Sequence, residues 1–189
     1  MESSSRRFRP LPKSSGGAQT LPMSRSHDIR GLAAAVGPPL AAAVAGNAFI
    51  GRDSLRWFRQ LRQPRLQLPL PAFGLVGAIY YVQMGTVLYR AYLNNDSRVR
   101  RRALIVLAGN ELWNVAFIGR RSPRNGFAGT LVFLGPLLAL QRSVASDLPS
   151  MIALTPYTLW VVGYDVAWSY RLWRLNPGQD GARPPDRAS

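Results

Sequence analysis

Leu66–Tyr89, LQLPLPAFGLVGAIYYVQMGTVLY, runs without a single charged side chain. A helix needs about 20 apolar residues to cross a hydrocarbon core about 30 Å thick, so this stretch is long enough to span a bilayer. Four further stretches on either side of it read the same way. Gly31–Ile50 is uncharged, Ala103–Gly119 carries only Glu111, Asn125–Gln141 carries no charge, and Leu148–Tyr170 carries only Asp165. Short arginine-bearing segments separate them, and short connections make successive helices antiparallel neighbours. The pattern predicts an all-α fold, an integral membrane bundle of five transmembrane helices, with spans at about 31–51, 68–91, 103–119, 125–142 and 148–172.

One five-span domain therefore fills residues 31–176 of the 189. Residues 1–30, rich in Ser, Arg, Gly and Pro, are expected to form a disordered basic tail, and residues 177–189 a second disordered tail. The net charge of +15 is nearly all arginine, Lys13 being the sole lysine. These charges stand between apolar segments rather than along one stripe. They suit anchoring at anionic headgroups, and no nucleic-acid partner is expected. Near the spans, seven positive charges fall on the N-terminal side and ten on the other, which leans towards an internal C-terminus. The lipid bilayer is the first expected partner, and a multi-pass position in a bacterial cell membrane the expected location.

The chain has no cysteine, which removes disulfides, thiolate catalysis and cysteine metal sites. Its one histidine, His27, lies in the N-terminal tail. No metal site, catalytic residue or required cofactor is predicted. A tetrapyrrole could be held only non-covalently, by stacking and shape.

In the third span Asn110, Trp113, Asn114 and Phe117 recur at i, i+3, i+4 and i+7 and share one face. Two amides and two aromatics on a stripe suit a pocket that stacks a flat ligand. They suit hydrogen bonding between helices equally well. The fifth span carries a second aromatic stripe, Tyr157, Trp160, Tyr164 and Trp168, with Tyr170 and Trp173 beyond it as an interfacial belt. In the second span Phe73, Gly77, Tyr80, Tyr81 and Met84 face broadly one way. Glu111 and Asp165 are costly at bilayer depth, about 2.5–3.5 kcal/mol each on insertion scales, so each is expected to face a polar cavity, a neighbouring helix or water. Between the first two spans, Trp57, Phe58 and Leu61 fall on one face of a short helix among Arg52, Arg56, Arg59 and Arg62. Such a helix is expected at the headgroup level, Trp inward and Arg outward.

Four of these segments, in order, resemble the translocator protein / tryptophan-rich sensory protein family. They are Trp57-Phe-Arg-Gln-Leu61-Arg-Gln-Pro64; Phe73-Gly74-Leu-Val76 with Tyr81 and Met84-Gly85; Asn110-x-x-Trp113-x-x-x-Phe117-x-Gly119; and Pro156-Tyr157-x-x-Trp160 with Trp173-Arg174-Leu-Asn176. The resemblance covers about residues 32–176. It implies a five-helix bundle, often a homodimer, that binds a hydrophobic small molecule, a porphyrin or a sterol-like compound, beneath its first loop. By positional match Trp57, Tyr81, Asn110, Trp113, Phe117, Tyr157 and Trp160 line or close that pocket. Phe73, Met84, Glu111, Asn114, Tyr164 and Asp165 complete the candidate set from the stripes above. Leu66 and Gly77 stand where the family carries tryptophan, and one extra residue precedes Trp173, which predicts a reshaped, more acidic pocket. The function implied is a membrane-embedded binder, sensor or carrier. The alternatives are a light-dependent porphyrin-degrading enzyme, with Trp113 and Trp160 as redox partners, and a structural or regulatory subunit packing a partner protein.

Overall fold

The computed structural model describes residues 25–48 and 50–179, and the tails expected at either end lie largely outside the described residues. All regular structure among the described residues is helical: α1 (Arg25–Ala48), α2 (Arg52–Gln60), α3 (Leu70–Leu93), α4 (Ser97–Asn114), α5 (Pro123–Ser143), α6 (Leu148–Trp160) and α7 (Val166–Leu175). A π-helical turn, Val115–Gly119, extends α4, and another, Val161–Asp165, joins α6 to α7 as one continuous rod. Five long rods result, with α2 as a short piece between the first two.

The rods start and stop for local reasons. Pro69, Ser122 and Asp147 precede three of them in extended conformation, with prolines in the first turns of α3, α5 and α6, where a missing N–H costs nothing. Asp96 accepts a hydrogen bond from the Val99 amide and Ser122 one from Asn125. The Asp96 cap corrects one expectation: Arg98–Arg102, read from sequence as loop, form the first turns of α4. The first rod likewise begins at Arg25, inside the stretch expected to be disordered, and it runs unbroken through Pro38-Pro39.

The bundle closes as a ring in which α1 meets α3 and α4, α3 meets α6, and α5 bridges α4 to both α6 and α7. Gly85 of α3 lets α1 come close; a Cβ there would lie 3.3 Å from the Ala35 carbonyl oxygen. At the end remote from α2, Tyr80, Met84, Val87, Val106, Leu137 and Leu154 form a dry core. Arg90 and Asp147 lock α3 to α6 there through two hydrogen bonds, 2.6 and 3.2 Å. The guanidinium and the Ser150 hydroxyl hold the Asp147 carboxyl down at about 2.

The outer surface is apolar. Leu32, Val36, Leu40 and Val44 point outward at four-residue spacing along α1, and Val82, Leu112, Val132 and Leu159 do so on the other rods, all more than half exposed. A soluble monomer rarely shows so much apolar surface. Among the described residues two helices, Gly31–Ala48 and Leu70–Leu93, are long and apolar enough to cross a membrane.

Candidate functional site

At the α2 end the rods part around a cavity of about 790 Å³, within the range of small-molecule sites. Tyr80, Phe133 and Tyr157 form its floor on the dry core; Phe58, Phe73, Phe117 and Trp168 belong to a second aromatic cluster that roofs it.

The roof is α2. Its sequence buries Trp57 and Phe58 on one face and leaves Arg52, Arg56 and Arg59 exposed, Arg59 at the rim of the cavity. Phe117 takes both rings edge-on, at centroid distances of 5.7 and 6.1 Å, and Phe58 also meets Trp168 at 6.3 Å. The chain after α2 is tied to the last rod. The Arg62 amide donates to Asn176 Oδ1 (2.8 Å), and Asn176 Nδ2 donates back to the Arg62 carbonyl (3.0 Å). Trp168 Nε1 donates to Gln67 Oε1 (2.6 Å), and the Tyr164 hydroxyl donates to the Leu66 carbonyl (2.9 Å). The short helix thus turns Trp57 and Phe58 to the bundle interior and its arginines outward, the two faces its spacing predicts.

One wall is an aromatic ladder. Residues four apart on an α-helix drift by about 40° per step, so Trp160, Tyr164 and Trp168 would splay on a regular rod. The wider i→i+5 turn at Val161–Asp165 takes up one more residue and keeps them in line. Phe73 of α3 touches all three rings, at 6.4, 6.2 and 5.2 Å.

The opposite wall is polar. Glu111 Oε1 accepts from the Tyr81 hydroxyl (2.8 Å) and Asn110 Nδ2 (3.1 Å), and Oε2 accepts from Asn114 Nδ2 (3.2 Å). Asn110 Oδ1 in turn accepts from the Tyr157 hydroxyl (3.2 Å), joining α3, α4 and α6. Gly46 of α1 abuts the Glu111 carboxylate, leaving no room for a Cβ. Trp113 Nε1 donates to the Gly126 carbonyl (2.9 Å) and Thr130 Oγ1 (3.0 Å). Gly126 and Gly129 make this possible: a Cβ would meet Phe117 at 2.6 Å and Trp113 at 2.9 Å.

Of the residues singled out from sequence, Phe73, Tyr81, Asn110, Trp113, Asn114, Phe117, Tyr157, Trp160 and Asp165 line the cavity together. The other four stand off its wall. Trp57 packs against the outer edge of the Phe117 contact. Met84 is wholly buried in the dry core, about a turn along α3 from Tyr81. Glu111 spends its carboxylate on the neighbours that do line it. Tyr164 stacks between Trp160 and Trp168. The sequence reading missed the contribution of α5: Thr130 and Phe133 reach the cavity. Nothing in that apolar run marks them except Gly126 and Gly129, which bring α5 close to α4. Asn176, which clamps the roof, sits just past α7 and shows only as the last letter of a motif.

An apolar-surfaced bundle of long helices around an aromatic chamber defines a helical membrane protein with an internal cavity. Residues 35–174 match the TspO/MBR family, and the chain belongs to that family. It is 26% identical over 152 residues to the tryptophan-rich protein TspO of Archaeoglobus fulgidus, covering 79% of this chain and 99% of that one. It is 25% identical over 152 residues to the tryptophan-rich protein TspO of Chlorobaculum tepidum, covering 77% and 96%. Family membership makes it a membrane protein of the binding or sensor kind.

Proposed function

We propose that this protein crosses a bacterial cell membrane five times and encloses a flat hydrophobic ligand, a tetrapyrrole in preference to a sterol-like molecule. The observation that carries the reading is the cavity wall. Phe58, Phe73, Phe117, Trp160 and Trp168 offer ring faces and edges, whereas Tyr81, Asn110 and Asn114 supply a few polar atoms on one side. Stacking on aromatic pairs is worth about 0.5–1.5 kcal/mol each beyond area burial, which favours a planar conjugated body over an aliphatic ring system. The α2 roof is the gate. Its arginines and those of the α4–α5 turn lie at the same end, the side richer in positive charge, which the positive-inside rule places in the cytoplasm. The protein acts as a sensor or carrier that reports or passes on the ligand when the roof moves.

The test is quenching of intrinsic tryptophan fluorescence by protoporphyrin IX in detergent, repeated in Asn110→Ala and Trp113→Leu and in competition with cholesterol. Saturable quenching, weakened by either substitution and resistant to cholesterol, is the expected outcome. Displacement by cholesterol at equal concentration would move the assignment to sterols, and absence of saturation would overturn it.

A further inference from the structure

Asp165 is the acidic side chain on the cavity wall without a matching base. It closes the π-helical turn Val161–Asp165 and lines the cavity beside the Trp160 indole. The ion pairs formed among the described residues, Arg56–Asp53 and Arg90–Asp147, lie elsewhere. Arg59 lines the same cavity from the roof but makes no ion pair with Asp165. Glu111 stands behind the wall, its carboxylate taken up by Tyr81, Asn110 and Asn114, all uncharged. The charged residues that line the chamber are therefore Asp165 and, at the roof, Arg59. It also has free space: nothing lies within 4 Å of a Cβ built on Gly74 or Gly77, both of which line it. Wide turns of this kind recur at functional sites because they re-aim side chains.

We infer that Asp165 is a recognition residue, and that the chamber also takes a second class of ligand, a flat conjugated molecule bearing a protonated nitrogen at its edge. The ring system lies on the Phe73–Trp160–Trp168 ladder, and the nitrogen donates to the Asp165 carboxylate as a charge-assisted hydrogen bond. This rests on the reading of the cavity as a ligand pocket and adds a ligand class to it, since a porphyrin carries its nitrogens at its centre.

The probes are 9-aminoacridine, a flat cation at neutral pH, and acridine, the same frame without the charge. Binding is followed by probe anisotropy in detergent, with empty micelles subtracted. The wild-type protein holds 9-aminoacridine about tenfold or more tighter than acridine, the worth of a hydrogen bond to a charged group. Asp165→Asn brings the two within about twofold while acridine itself keeps its affinity. Equal affinities in the wild type overturn the inference without any variant, as does a preference that survives Asp165→Asn. Gly74→Trp separates the two levels of the reading. If it expels both probes but the wild type shows no charge preference, the pocket stands and the Asp165 assignment falls. If neither probe binds the wild type saturably, both fall.

Discussion

The side chain of Asn176 exchanges two hydrogen bonds with the backbone of Arg62, one in each direction, at 2.8 and 3.0 Å. It is the most direct link between the last rod and the chain that leaves α2. A third bond, from Asn176 Nδ2 to the Leu172 carbonyl (2.8 Å), fixes the amide on its own helix. A buried side chain so used is a clasp on the roof of the cavity.

Asn176→Ala therefore loosens the roof. Losing the two bonds to Arg62 costs about 1–3 kcal/mol at a net 0.5–1.5 kcal/mol each. The thermal midpoint in detergent falls, and trypsin cuts faster at Arg59, Arg62 and Arg65. Asn176→Asp, which keeps the acceptor for the Arg62 amide and loses the donor, falls between the two. A cleavage rate unchanged in Asn176→Ala would show that the roof is held without this clasp, by the Trp57 and Phe58 packing and the Gln67–Trp168 and Leu66–Tyr164 hydrogen bonds.

Gly46 and Gly37, both on α1, differ sharply in what a methyl group would meet. At Gly46 it would overlap the Glu111 carboxylate and touch Asn114, whereas at Gly37 it would meet nothing within 4 Å. Gly46→Ala is expected to destabilise by about 1–3 kcal/mol through overpacking. Gly37→Ala is expected to be neutral or to stabilise by up to about 1 kcal/mol, through helix propensity. Adding Glu111→Ala to Gly46→Ala should cost less than the sum of the single changes, because the two residues share one contact. Chemical denaturation of the four proteins in matched micelles checks the set.

The Arg90–Asp147 pair predicts an acid-sensitive increment of stability at the end away from the cavity. The Asp147 carboxyl is held at about 2, below its ordinary value, by the Arg90 guanidinium and the Ser150 hydroxyl. A depressed carboxyl contributes its stability above the unfolded value and loses it as pH falls towards the folded one. The loss therefore develops between about pH 4 and pH 2. The pair is partly open to solvent, so the increment is small and shrinks with salt. Melting curves of wild type and Asp147→Asn should converge as pH falls through that window; parallel curves would remove the pair from the stability of the fold.

Much of this was legible in the sequence, and the reasons it was or was not are physical. Run length alone gives the rods, because a bilayer sets a minimum apolar length and arginine marks the ends. The third-span stripe was readable because Asn110, Trp113, Asn114 and Phe117 keep strict helical spacing, and all four reach the cavity. Asn110 and Trp113 bond neighbouring helices and also line the cavity, so the interhelical reading holds and the stripe still faces the chamber. Arg98–Arg102 misled because charge resembles loop; an Asp96 cap and long arginine stems let them sit in a helix. Phe133 was silent because one aromatic in an apolar run has no period to betray it. The π-helical turns have no single-residue signature.

The cavity beneath α2 as the ligand site is tested most directly at Gly74, which lines it and where an added Cβ meets nothing within 4 Å. Gly74→Trp sets an indole into the chamber. Equilibrium binding of protoporphyrin IX, read from its Soret absorbance, should saturate with the wild type. The folded Gly74→Trp protein, with a thermal midpoint close to that of the wild type, should bind at least about tenfold more weakly. Unchanged affinity in a well-folded Gly74→Trp protein would place the ligand outside this cavity.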